Sequence, residues 1–125
     1  HNSNAQYLYA CVPMFSLSVY VENIFKKVYP RHLSGGHTHI FSNESLEWMY
    51  QHYQLEPIAE WRFGSDVTDL FRSASVFLQD NNSSQKFSET FKKFIGNEVD
   101  TIQEVIDKCD FSSEIHFIAR KIQVK

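Results

Sequence analysis

Two histidines one residue apart, His37 and His39, make the most reactive pattern in the chain. On an extended segment an H-x-H pair directs both imidazoles to the same side. Imidazole titrates near neutrality, which suits it to taking a proton from an oxygen or nitrogen nucleophile. The same pair could begin a Zn²⁺ site, but no cysteine or carboxylate lies at ligand spacing nearby, so no metal is assigned. It could equally be architectural, hydrogen-bonding the backbone of its own loop. Just upstream, Arg31 and His32 have the donors to hold an anionic or hydroxyl-bearing substrate, or belong to a solvated loop. Gly35-Gly36 permits the positive φ of a tight turn or a hinge. Further on, Asp66 and Asp69, or Asp69 and Arg72, share a helix face at i, i+3 and read as a solvated helix N-terminus.

These groups need elements to position them. Gln6–Val12 is a nearly continuous apolar run, as expected of a strand buried on both faces of an α/β sheet, and it ends at Pro13. Ser16–Val28 carries Leu17, Val21, Ile24, Phe25 and Val28 at helical spacing. The histidine-rich loop Arg31–Phe41 follows, and Ser42 is a good N-cap for a helix over Asn43–Tyr53. Pro57–Phe63 alternates like a strand until Gly64, and Ser65 caps a helix to about Gln79. Beyond the loop Asp80–Ser84, Lys86–Lys108 has a long apolar stripe that Gly96-Asn97 kinks or breaks. The stripe begins with Phe87, Phe91 and Phe94, which at this spacing are core or interface rather than a ligand box. Ile115–Val124 is the last strand.

Composition excludes several classes. The chain has 125 residues, 12 basic and 15 acidic, for a net charge of −3, which is no footprint for nucleic acid. No apolar run approaches the roughly 20 residues of a membrane span, and no basic-then-apolar leader is visible, so the expectation is a cytoplasmic protein without a membrane partner. Cys11 and Cys109, set in apolar segments, are expected to be buried free thiols. Only four glycines occur, at 35, 36, 64 and 96, so neither G-x-G-x-x-G nor a Walker loop can be written. Residues 1–5 read as a tag or a disordered segment, and 6–125 as a single partial domain. The first strand is as apolar as a central one, yet little chain precedes it to pair with it.

The order of these elements carries a resemblance. A strand ending in Val12-Pro13, an amphipathic helix, the stretch RHLSGGHTHIFSNESL and a strand ending in FGSD resemble the C-terminal half of class I S-adenosylmethionine-dependent methyltransferases. The likeness is to the branch that includes the ubiquinone- and menaquinone-type enzymes, where His-x-His-x-x-Phe precedes a Ser/Glu-rich helix cap. Here those positions are His37, His39, Ser42 and Glu44, with Phe41 two rather than three residues after His39. The terminal SSEIHFIARK is similar to that family's last, antiparallel strand. The family's glycine loop and ribose-holding acid have no counterpart.

The resemblance implies an α/β fold: the C-terminal half of a Rossmann-like methyltransferase sheet, three strands in one mixed, three-layer arrangement. It implies that the last strand lies between the other two, antiparallel to both, after a helical insertion. It implies methyl transfer to oxygen or nitrogen of a small-molecule acceptor, with S-adenosylmethionine as cofactor of the complete enzyme and little or no binding by this chain alone. His37 or His39 would take the proton. Ligands of open α/β sheets sit beyond the strands' carboxyl ends, which places the acceptor near Met14, Phe15, Arg31, His32 and Asp66. The competing expectation is a non-enzymatic α/β module that forms homo-oligomers through its sheet edge and Phe-rich helices.

Overall fold

The computed structural model describes residues 4–34, 36–80 and 85–122. Gly35, the tip of the loop after Asp80, most of the expected N-terminal tag and the last positions of the expected final strand lie outside them. In chain order the elements are β1 (Tyr7–Pro13), α1 (Leu17–Ile24), α2 (Asn43–His52), β2 (Leu55–Phe63), α3 (Asp66–Asp80), α4 (Gln85–Gly96), α5 (Val99–Lys108) and β3 (Glu114–Lys121).

Local chemistry sets most of the ends. The Ser16 side chain accepts from Ser18 N and opens α1, which stops at Ile24, a turn short of the expected Val28. α2 begins with a reciprocal capping box between Ser42 and Ser45, so two otherwise orphaned backbone N–H groups are satisfied. β2 starts two residues earlier than its alternation suggests, immediately after Gln54 turns the chain at φ 53°. The long stripe after residue 85 is two helices: α4 ends at Gly96 and α5 restarts from Glu98, so Gly96-Asn97 breaks rather than kinks it.

The strand order is β1-β3-β2, with β3 antiparallel to both neighbours. β1 and β2 therefore run in the same direction without touching. Both strand pairings are antiparallel, so the sheet expected to be mixed is antiparallel among the described residues. The β2–β3 register shifts between Pro57 and Ala59. Proline there lacks the N–H that a regular ladder would use.

The period of two in β3 separates the faces. Ile115, Phe117 and Ala119 are buried with Met14, Leu46 and Tyr50, where α2 covers the sheet. The Phe117 ring meets Tyr50 edge-on at 5.4 Å. Tyr50 donates to Glu60, and burial together with that bond pushes its phenol well above the usual tyrosine range. The opposite face stays largely open, with Tyr9 58% and Trp61 43% exposed, so a full third layer over the sheet is not formed. The apolar run of β1 predicts a doubly buried strand. Its faces are instead open, with Tyr7 and Tyr9 exposed, while β3 lies between β1 and β2 as expected.

The remaining helices group beside the sheet. α1 packs on α3, α3 on α4 and α5, and α5 lies along β2. Phe25 meets Phe77 and Phe71 meets Phe91, both edge-on. Of the expected phenylalanine stripe only Phe91 turns inward; Phe87 and Phe94 are exposed. Cys11 and Cys109 are free thiols but exposed ones, because the sheet face and helix end that carry them are uncovered.

Candidate functional site

Because β1 and β2 are co-directional, their carboxyl ends lie at one edge of the sheet, with the start of β3 between them. Asp66, at the head of α3, knits that edge together. Its Oδ1 accepts from Ser16 Oγ at 2.6 Å, Ser18 N at 2.9 Å and Ser18 Oγ at 2.7 Å. Its Oδ2 accepts from Ser113 N at 2.9 Å and from Gln103 at 3.4 Å. Burial pushes this carboxyl up, but the bonds from Ser16, Ser18 and Ser113 outweigh it and hold Asp66 below the usual range. A Cβ on Gly64 would lie 2.5 Å from Asp66 Oδ2 and 2.9 Å from Ser113 N. Glycine is what permits this close approach.

The expectation of a solvated helix N-terminus at Asp66 and Asp69 is therefore corrected: both are buried. Asp66 is fully enclosed and its lone pairs are spent on protein donors, so it offers nothing to a substrate. Asp69 is held by Arg31, whose Nη2 donates at 2.8 Å and whose Nε spans both carboxylate oxygens at 3.1 Å. Arg31 also donates to Ser65, and Arg72 approaches Asp69 at 3.6 Å. The Asp69 hydrogen bond raises the Arg31 pKa against the opposing effect of burial. Half of the Arg31 side chain, 48%, remains open to solvent.

The loop between α1 and α2 is built around a residue that sequence reading passed over. Buried Glu22 accepts from three successive backbone N–H groups, Arg31 at 2.6 Å, His32 at 2.5 Å and Leu33 at 2.7 Å. Its only sequence signal is a carboxylate on the buried side of α1, three and four residues after Val19 and Ser18.

From this anchor a short relay runs through the histidines. His32 is buried and its Nε2–H donates to the Met14 carbonyl at 2.9 Å. His37 Nδ1–H donates in turn to the His32 carbonyl at 2.9 Å, and the two rings meet edge-on at 5.6 Å. That bond orients His37 and, in the neutral ring, leaves Nε2 as a lone-pair acceptor at the exposed rim. Among the described residues His39 bonds only its neighbour Thr38, at 2.9 Å, so the structure separates two histidines that sequence left equivalent.

The loop's far end is fastened too. Phe41 N donates to the Pro13 carbonyl at 2.9 Å and Phe15 N to the Phe41 carbonyl at 2.7 Å, forming a bridge beside Met14. Met14 itself is buried in the core and reaches the site only through its carbonyl. Phe15 is half exposed and packs edge-on against Tyr20 at 5.4 Å. Of the expected residues, Met14, His32 and His37 are joined in one hydrogen-bonded chain, Phe15 packs on Tyr20, Arg31 is bound to Asp69, and Asp66 belongs to the scaffold.

Comparison with protein-family models, curated sequences and solved structures gives no match. Fold and geometry define an α/β protein whose three-stranded antiparallel sheet carries a buried carboxylate network and a tethered histidine loop. No described helix is long and apolar enough to cross a membrane.

Proposed function

We propose that this chain is the substrate-side portion of an S-adenosylmethionine-dependent methyltransferase acting on oxygen or nitrogen of a small molecule. The observation that carries the reading is the histidine loop fastened at both ends to the carboxyl end of β1, in a sheet of order β1-β3-β2. In the open parallel α/β sheets that the resemblance implies for the whole protein, ligands sit beyond the strands' carboxyl ends, the end that β1 and β2 share here. His37, with Nδ1–H fixed on a carbonyl, presents Nε2 as general base to the acceptor's hydroxyl or amine. His32 positions it. Phe15 and Tyr20 form an apolar wall, and the open half of Arg31 reads an anionic group on the acceptor.

The residues described do not fit the cofactor. Gly64, at the carboxyl edge of the sheet, is packed by Asp66 and Ser113 rather than opened toward a ligand. In this reading the chain by itself binds the cofactor weakly or not at all, and the glycine loop would come from the other half of the domain that the resemblance implies. A second reading, a self-associating interaction module in a homo-oligomer, is favoured by the exposed Tyr9–Trp61 face and the β1 edge.

The test is methyl transfer from labelled S-adenosylmethionine by a protein that includes this chain. His37→Ala should cut turnover by ~10²–10⁴-fold with cofactor affinity unchanged. His39→Ala should cost far less. A His37→Ala enzyme with wild-type turnover from pH 6 to 9, or a wild type with no transfer to any acceptor, overturns the proposal.

A further inference from the structure

The open face of the sheet carries a cluster far from the histidine loop in sequence and on different elements. Cys11 on β1 lies directly opposite His116 on β3, and Glu114 precedes His116 by two residues. Direct cross-strand partners and residues two apart share a face, so all three side chains leave the sheet on the side away from α2. One ligand atom from each lies within 4.8 Å of the others, and Cys11 Sγ is already 3.8 Å from Glu114 Oε2.

We propose that Cys11, Glu114 and His116 form a binding site for a zinc-like divalent cation. Metal–ligand distances of about 2.0–2.3 Å in a tetrahedron place ligand atoms about 3.3–3.8 Å apart. Side-chain rotation of the order of 1 Å over a rigid two-strand frame closes the present spacing. A thiolate, an imidazole and a carboxylate together suit Zn²⁺ and discriminate against Mg²⁺ and Ca²⁺, which take oxygen alone. Three protein ligands leave the fourth position to water or a ligand, as in catalytic rather than structural zinc sites.

The surroundings support the assignment. Tyr9 OH lies 2.6 Å from His116 Nδ1 and orients the ring, as partners of metal-bound histidines do. Trp61 and Phe63 flank the same imidazole at 5.1 and 4.8 Å. On binding, the Cys11 thiol proton goes to solvent and the sulfur forms the metal bond.

The experiment is titration of the metal-free 125-residue chain with Co²⁺, followed by displacement with Zn²⁺. One equivalent should raise a thiolate-to-cobalt charge-transfer band with tetrahedral visible bands, and one equivalent of Zn²⁺ should abolish both. Cys11→Ser and His116→Gln should lose the band, Tyr9→Phe should weaken binding about 10–100-fold, and His37→Ala should leave it unchanged. Within the wild type, Zn²⁺ should protect Cys11 from alkylation and leave Cys109 reactive, a readout that needs no variant to fold. Equal alkylation of both thiols with and without Zn²⁺, or a band that survives Cys11→Ser, overturns the proposal.

Discussion

Replacing Asp66 by asparagine tests whether the buried carboxylate holds the sheet edge to the helices. Both carboxylate oxygens accept from backbone N–H groups: Oδ1 from Ser18 and Oδ2 from Ser113, each at 2.9 Å. An amide has one oxygen. Whichever way it turns, its NH₂ faces a backbone N–H that cannot rotate away, although the Ser16 and Ser18 hydroxyls can. A buried N–H left without an acceptor costs about 1–3 kcal/mol, and the surviving bonds lose the extra strength that a charged acceptor confers. The expected loss is about 2–5 kcal/mol, a large part of the roughly 5–15 kcal/mol that holds a domain of this kind together.

Urea unfolding followed by circular dichroism should show the midpoint falling with the slope unchanged. The pH dependence adds a second check. Asp66 is held below its ordinary value in the folded chain, so its contribution is complete above the unfolded carboxylate pKa of about 3.9. It is lost as pH falls through the lower folded-state value. The substituted amide does not titrate, so the gap between Asp66→Asn and wild type should narrow below about pH 4. A variant within about 1 kcal/mol of wild type at pH 7, or a gap that stays constant in acid, would refute the reasoning.

Glu22→Gln leaves the three N–H groups of Arg31, His32 and Leu33 sharing a weaker, neutral acceptor. Amide exchange at those three positions should accelerate while that of β3 holds; uniform exchange across the chain would contradict the loop-anchoring role. The outer edge of β1, beside exposed Tyr7 and Tyr9, should pair with a second copy. Light scattering should then report a dimer or larger species that Tyr7→Lys disperses, and a wild-type monomer at high concentration would count against it.

Much of the fold was legible because its causes are local. The Ser42 cap ahead of the apolar face of α2, the break at Gly96-Asn97 and the alternation of Ile115, Phe117 and Ala119 all express chemistry within a few residues. The order β1-β3-β2 came from the family resemblance and matches the pairing. Periodicity alone overstated the burial of β1, since a continuous apolar run reads as buried on both faces whether or not a layer covers it.

The candidate sites divide on the same line. His37-Thr38-His39 announces itself by spacing, and so does Arg31 beside His32. Which histidine has a fixed tautomer depends on a carbonyl five residues away and on the loop turning back over it. Asp66 reads as a solvated helix start until Ser113, 47 residues later, brings its N–H to it. Cys11 and Glu114 are 103 residues apart and become neighbours only through the β1–β3 register. Sequence determined which helices and strands form, because capping and hydrophobic period act over a turn or two. Tertiary structure decided which carboxylates are buried and which side chains meet, because strand register and helix packing join groups that no local pattern relates.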